Sequence, residues 1–269
     1  MSAAAETSDR IVGIWQQPKN KWQGAPNSIH TDSVARSVGM RGGTIPGTVH
    51  LSHFRPILTE LFGARWLKTG SISMFYTYAT IDQEEVRAIV KAPPDGVRDD
   101  VQLDAWVENK EGRTVCKGTV AVGSPKATSY VRGLELENAS SDLIRILSNM
   151  KPGMEITPIE EFVVREGGED GEVRDPQEMY RALQVFPRGV NTAPAVGFFG
   201  ATEVRLHAGP IKLGVPYRKA GKVISVGASP KTEFAWFDSS LTDKDGTVIA
   251  EMRHMTRWMK VSSPLWRAA

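Results

Sequence analysis

Two blocks of strand-like segments, separated by about 130 residues, constrain the fold of this chain more than any other feature of its sequence. Within each block, apolar and β-branched residues alternate with a period of two, which is typical of half-buried strands. The first block covers 71–81, 85–92, 101–109 and 114–123, and the second covers 201–208, 219–227, 231–241 and 247–261. Tight turns are predicted at Lys110-Glu111-Gly112 and Lys244-Asp245-Gly246. The pattern predicts two antiparallel meanders.

Each meander has one helical candidate. From Pro46 to Gly63, apolar residues recur at intervals of three and four, which predicts a helix that Gly63 ends. Pro56 lies inside this segment, and an interior proline kinks a helix. In the second half, the only helical candidate is PQEMYRAL, residues 176–183. The fold class indicated is α+β, with one helix for each sheet.

The order of these elements indicates a duplicated domain. AWVENKEG at 105–112 is echoed by AWFDSSLTDKDG at 235–246. A chain of 269 residues is long enough for two small cores. We therefore predict an N-terminal domain over residues 1–140 and a C-terminal domain over residues 141–269.

Composition argues against several functional classes. The 33 basic and 31 acidic residues leave a net charge of +2 without long single-sign blocks, so we expect no nucleic-acid partner. Cys116 is the only cysteine, which excludes an internal disulfide and favours a reducing compartment. The N-terminus carries acids where a secretory signal needs basic residues, and no apolar stretch suits a membrane span. We expect a cytoplasmic protein without a membrane partner.

One short motif carries the functional information. APNSIH, residues 25–30, is followed by Ala35, Gly39, the pair Gly42-Gly43 and then Pro46-Gly47 at the start of the long helix. It resembles the D-x-N-P-[LIV]-H motif of the MaoC-like (R)-specific enoyl-CoA hydratases, and Asn27, Ile29, His30 and Gly47 match. The resemblance covers residues 20–125 by motif and about 200–260 by strand pattern. It implies a double hotdog fold, in which two antiparallel sheets each wrap around a central helix.

The resemblance also implies an active site, from which this chain departs at one central position. In the family, an aspartate and the histidine add water across the double bond of an enoyl thioester, and a backbone N–H polarises the carbonyl. Here Ala25 occupies the aspartate position, and Ser28 replaces the proline. His30 would be the acid/base, Asn27 would orient it, and the Gly47 N–H would bind the carbonyl oxygen. A CoA thioester is the implied substrate, with no redox cofactor or metal and a homodimer by analogy.

Two residues could replace the missing aspartate. His50, which shares a helix face with His53, could exchange acid and base roles with His30, and Asp32 could assist from two residues along the chain. Each has a structural alternative. His50 could be a core histidine bonded to a backbone carbonyl, and Asp32 could be an acid that caps a helix N-terminus. His30 itself could be a local hydrogen-bonding residue before a short helix. A metal site of His30, His50 and His53 has only weak support, because no ligand spacing fixes its geometry.

Three functional readings follow. The leading one is a lyase of the hydratase/dehydratase type acting on an acyl thioester or a compound of similar shape. The second keeps the pocket but performs isomerisation, another elimination or thioester hydrolysis. The third is a non-catalytic hotdog subunit or binding module that has lost the aspartate. The absence of G-x-S-x-G and of phosphate-loop spacing disfavours serine esterase and nucleotide hydrolase chemistry.

Overall fold

The computed structural model describes residues 5–7, 9–94, 97–192 and 194–267. Its strands are β1 (Ala5–Thr7), β2 (Arg10–Val12), β3 (Gly70–Tyr76), β4 (Val86–Lys91), β5 (Val101–Asn109), β6 (Thr114–Val122), β7 (Glu155–Val163), β8 (Gly197–Leu206), β9 (Pro216–Ala228), β10 (Thr232–Thr242) and β11 (Val248–Met259). The helices are α1 (Asp32–Ser37), α2 (Val49–Ser52), α3 (Arg55–Phe62), α4 (Ala64–Thr69), α5 (Pro176–Leu183) and α6 (Pro264–Arg267), with 3₁₀ turns at Ser141–Leu143 and Lys260–Ser262.

The strands form one antiparallel sheet in the order β1-β2-β4-β5-β6-β3-β8-β11-β10-β9-β7. The first six strands in this order come from the first half of the chain and the last five from the second half. The two predicted sheets therefore meet edge to edge, where β3 pairs with β8. With helices packed against each half-sheet, the fold is the predicted α+β double hotdog.

The long helix predicted in the first half is interrupted. α2 and α3 are separate, and Pro56 lies in the first turn of α3, where its missing N–H costs no helical bond. After α3, Gly63 has a positive φ of 55° and joins it to α4, which the sequence pattern did not predict. Leu51, Phe54 and Ile57 are almost fully buried, so these short helices form the centre of the first core.

Of the helices in the second half, α5 has the bounds predicted from the sequence, and the short α6 was not predicted. Pro176 occupies the first turn of α5, and the Asp175 carboxylate accepts the Gln177 N–H at 2.8 Å. Met179 and Leu183 are fully buried and join the core that both halves share.

The edge strand β7 was not predicted. It contains Pro158 and mostly exposed side chains, including Glu160 and Glu161, so it lacks the apolar alternation of an inner strand. Proline and charge on an edge strand disfavour pairing with another chain. The homodimer stays a prediction, as does the domain boundary at residues 140 and 141.

The remaining sequence predictions concern Cys116 and the compartment. Cys116 is fully buried in the core, where burial raises the pKa of its thiol to about 12. In the part of the chain that the structure describes, no helix is long and apolar enough to cross a membrane. The cytoplasmic compartment stays a prediction, and residues 1–4 and 8 of the N-terminal segment used for it lie outside the described residues.

Candidate functional site

The candidate site is a cavity of about 330 Å³ at the point where β3 and β8 separate. The two strands pair from Ser71 to Phe75, opposite Arg205 to Ala201. Beyond that point, residues 76–79 of the first half and 197–199 of the second half line opposite sides of the cavity. A bulge leaves Gly200 without a partner on β11 and coincides with the separation. Both halves therefore contribute to the cavity walls.

His30 lines this cavity and is held by its neighbours in the chain. Ser28 bridges to Gly197 of β8, and the Thr44 N–H donates to the Ile29 carbonyl at 2.9 Å. The His30 Nδ1–H donates to the Thr44 carbonyl oxygen at 2.7 Å. This bond leaves Nε2 as the nitrogen with a lone pair, and Nε2 bonds to no other described residue.

The surroundings of His30 favour its neutral form. Partial burial lowers the pKa of His30, and the hydrogen bond to the Thr44 carbonyl offsets part of this effect. At neutral pH the imidazole is therefore uncharged and fixed in one tautomer. Such a group can accept a proton at Nε2.

Gly47 lies on the cavity wall just before α2. Its N–H donates no hydrogen bond within the described part of the chain, and Thr48, the N-cap residue, makes no side-chain cap. A Cβ at position 47 would lie 3.0 Å from the Tyr76 ring, so a side chain there would displace the ring. The backbone thus presents a free donor where substrate can approach closely.

His50 also lines the cavity, but it does not present a free nitrogen to it. Its Nε2 bonds to Thr80 Oγ1 at 2.9 Å, and its Nδ1 is buried without a partner. Burial, and to a smaller extent the neighbouring His53, lowers the pKa of His50 well below its ordinary value. His50 is therefore neutral and shielded, which does not support its predicted role as a proton donor.

His53 lies outside the cavity lining. Its Nδ1 bonds to Gln16 Oε1 at 3.0 Å, and burial lowers its pKa to about 4. The described residues contain no group of three or more His, Cys, Asp or Glu side chains that could hold a metal ion, so His30, His50 and His53 do not form one.

The structure does not bring the other predicted site residues to the cavity. Asn27 is exposed with a φ of 55°, and Thr44 rather than Asn27 holds the His30 ring. Asp32 Oδ1 accepts the Gly43 N–H at 2.6 Å, so this carboxylate stabilises the glycine loop. Ala25 is exposed as well, and among the described residues that line the cavity none is an Asp or Glu.

Sequence reasoning missed most residues of the cavity lining, among them Thr44, Tyr76 and Phe199. The only available signal for Phe199 was the pair of glycines in Gly197-Phe198-Phe199-Gly200, and nothing marked Thr44 or Tyr76. Thr44 acts through its backbone carbonyl, which any residue carries. Tyr76 and Phe199 come to the same cavity through the pairing of β3 with β8, which no local pattern reveals.

Comparisons with known proteins give matches only among solved structures. No protein-family model matches the chain, and no curated protein matches it. A protein described as a MaoC domain dehydratase from Chloroflexus aurantiacus aligns over 96% of both chains, with 10% identity and a TM-score of 0.53. The dehydratase domain of a mycocerosic acid synthase-like polyketide synthase covers 94% of this chain and 92% of its own, with 11% identity and a TM-score of 0.52. A protein described as an oleoyl thioesterase from Lactobacillus plantarum has 10% identity, covers 92% of this chain and 96% of its own, and has a TM-score of 0.49.

The resemblance to MaoC-type hydratases is confirmed at the level of the fold. Structures of MaoC-domain and polyketide synthase dehydratases share the double hotdog architecture with this chain over nearly its whole length. At these identities the likeness establishes the fold alone. The roles of His30, Asn27, Gly47, His50 and Asp32 stay predictions.

Proposed function

We propose that this protein is a lyase of the hydratase/dehydratase type that acts on an acyl thioester. One observation carries the proposal: His30 and Gly47 line the same cavity, and among the described residues neither the His30 Nε2 nor the Gly47 N–H has a hydrogen-bond partner. Apolar side chains such as Ile29, Met40 and Ile45 form much of the remaining wall and suit an acyl chain. A base and a carbonyl-binding donor are the two groups that proton removal beside a thioester requires.

The reaction can proceed with a single acid/base residue. In the dehydration direction, His30 Nε2 takes the proton from Cα of a 3-hydroxyacyl thioester while the Gly47 N–H stabilises the charge on the carbonyl oxygen. The electron pair forms the Cα=Cβ bond as the Cβ–O bond breaks. The imidazolium then returns its proton to the departing hydroxide, which leaves as water. Because His30 serves both steps, the proton and the hydroxyl leave from the same face, and hydration is the reverse.

The direct test is hydration of a panel of trans-2-enoyl-CoAs, followed by the loss of absorbance of the conjugated thioester. We expect turnover by the wild type and a loss of about 10²–10⁴-fold in His30→Ala. His207→Ala is the control. His207 follows the last residue of β8, is half-exposed, pairs with Glu251 and does not line the cavity. Equal turnover in His30→Ala and wild type would exclude His30 as the base.

The pH profile provides a second readout for His30. Its pKa lies below the ordinary 6.5 because of burial, and the deprotonated form is the active one. We therefore expect kcat/KM to be constant near neutral pH and to fall as the pH drops through the pKa of His30, below 6.5. A plateau that extends through this range would argue against a histidine base.

A second candidate is isomerisation of the double bond. The absence of an Asp or Glu from the described cavity lining favours it, because a single base can remove a proton at one carbon and return it at another. Analysis of the products by NMR in D₂O distinguishes the two reactions: hydration adds oxygen at Cβ, whereas isomerisation moves the double bond without adding water.

A further inference from the structure

A sealed polar cluster lies directly behind the cavity wall. Tyr76 lines the cavity, and its hydroxyl donates to Thr202 Oγ1 at 3.0 Å. Thr202 Oγ1 in turn bonds to His254 Nδ1 at 2.9 Å. The His254 ring lies 5.1 Å from the Tyr180 ring, centroid to centroid. Side chains of both halves therefore form a polar layer beneath the site.

Two atoms of this layer lack hydrogen-bond partners. Tyr180 and His254 are 3% and 4% exposed, and among the described residues neither the Tyr180 hydroxyl nor His254 Nε2 has a partner. Buried polar atoms of this kind are rare because leaving them unpaired is costly. The rings that carry these atoms are neighbours, and each atom retains the capacity for a hydrogen bond with a group from outside the protein.

Phe199 is next to both the cavity and these two rings. Its ring lines the cavity and lies 4.7 Å from the His254 ring and 5.5 Å from the Tyr180 ring. Gly197 and Gly200 flank the Phe198-Phe199 pair, and Gly200 is the unpaired residue of the β8 bulge. A phenyl ring between two glycines at a bulge can change its position with little disturbance of the strand.

We propose that Tyr180 and His254 form the distal end of the acyl pocket, reached when Phe199 moves, and bind a neutral oxygen substituent on the acyl chain. This inference rests on the proposed function. It identifies the substrate class as short acyl thioesters with a keto or hydroxyl group several carbons from the thioester. The acyl chain must be short, because one side chain spans the distance from the Gly47 backbone to the polar layer. The Tyr76 ring lies beside Gly47, and its hydroxyl bonds to Thr202.

The charge of the cluster decides which oxygen suits it. Burial lowers the pKa of His254 to about 3 and raises that of Tyr180, so both groups are neutral at physiological pH. Arg181, the described cation that acts on Tyr180, already pairs with Glu178, so a carboxylate placed here would be buried without a free positive partner among the described residues, which is strongly unfavourable. A ketone oxygen can accept the Tyr180 hydroxyl proton without this cost.

The test compares three saturated thioesters with equal numbers of non-hydrogen atoms: 4-oxopentanoyl-CoA, 4-methylpentanoyl-CoA and succinyl-CoA. None has a double bond to hydrate, so calorimetric titration measures binding without turnover. We expect the wild type to bind the ketone about tenfold more tightly than the methyl compound and succinyl-CoA most weakly. In Tyr180→Phe the ratio of the first two should fall to about one.

Tyr217→Phe is the matched control, because its buried ring carries a hydroxyl that already accepts the Lys212 N–H at 2.9 Å. This control should keep the tenfold ratio and lower the melting temperature, whereas Tyr180→Phe should leave the melting temperature unchanged or raised. A lower melting temperature in Tyr180→Phe would show that its hydroxyl has a structural partner and would overturn the inference.

The binding outcomes also separate the inference from the proposed function. Binding of 4-methylpentanoyl-CoA with no preference for the ketone overturns the inference and leaves the thioester site in place. A preference that survives in Tyr180→Phe overturns it as well. Failure of all three thioesters to bind would contradict the proposed function and this inference together.

Discussion

The two halves of the molecule begin their helices in opposite ways. In the first half, α2 starts without a side-chain cap, and the preceding Gly47, which lines the cavity, donates no backbone hydrogen bond to the described residues. In the second half, Asp175 caps α5, accepting the Gln177 N–H at 2.8 Å and the Ser52 hydroxyl proton at 2.7 Å. One helix start is open to a ligand and the other is closed by the protein's own carboxylate. Under the proposed function, the first helix start serves the chemistry and the second stabilises the fold.

The second half still takes part in the site. It contributes Phe199 to the cavity wall and Tyr180, Thr202 and His254 to the polar layer behind it. Under the proposed function, the proton-transfer and carbonyl-binding groups come from the first half and part of the pocket comes from the second. This division can be tested by changing each helix start separately.

Among changes at the two helix starts, closing the open one should have the largest effect. In Gly47→Val, the new side chain meets the Tyr76 ring, which a Cβ alone would already approach to 3.0 Å. We expect kcat/KM for an active enoyl-CoA to fall about 100-fold, equivalent to about 2.7 kcal/mol of transition-state stabilisation. Gly133→Ala is the control, since a Cβ there meets its nearest atom at 3.4 Å, far from the cavity lining. Unchanged kcat/KM in Gly47→Val would mean that this backbone does not contact substrate.

A second prediction concerns a property that the two halves share. Each half has a buried neutral histidine, His53 in the first and His254 in the second. Burial holds the pKa of His53 at about 4, while in the unfolded chain it returns to 6.5. Between these values the unfolded state binds more protons, so stability is lost as the pH falls from 6.5 towards 4. We expect the contribution of His53 to lower the unfolding free energy by about 2 kcal/mol when the pH falls from 7 to 5.

Urea denaturation of the wild type and His53→Gln at both pH values measures this contribution. The glutamine has no titratable group, so its stability should fall less on acidification than that of the wild type. If both proteins lose equal stability, His53 is not the origin of the effect, and His254, whose pKa is about 3, becomes the residue to replace next.

Opening the closed helix start should affect stability rather than chemistry. Asp175→Ala removes the cap of α5 and should lower the unfolding free energy by about 1 kcal/mol. Asp175→Asn is the matched control, because an asparagine oxygen can still accept the Gln177 N–H. Both variants should keep kcat/KM within about twofold, since Asp175 does not line the cavity. A large loss of turnover in Asp175→Asn with normal stability would show that the second helix start takes part in the reaction.

These contrasts show why the fold was easier to predict than the site. β5 and α5 have the bounds predicted for them, because a half-buried strand and an amphipathic helix produce local periodic patterns. β7 was missed because an edge strand needs no such pattern. In the site, a family motif indicated His30 and Gly47, but the Thr44 carbonyl and Phe199 depend on long-range pairing between the halves. Neither leaves a signal in a local stretch of sequence.

The smallest expected effect comes from restoring the aspartate that the MaoC-type motif has at position 25. Ala25 is exposed, does not line the cavity, and uses its carbonyl to accept the Thr31 hydroxyl proton at 2.9 Å. A carboxylate there would remain in solvent, so we expect Ala25→Asp to change kcat/KM by less than about twofold. A gain of tenfold or more, absent in Ala25→Asn, would mean that the loop brings position 25 to the substrate. In that case the first half would be a carboxylate-and-imidazole site of the hydratase type that lacks its carboxylate, rather than a site organised around a single histidine.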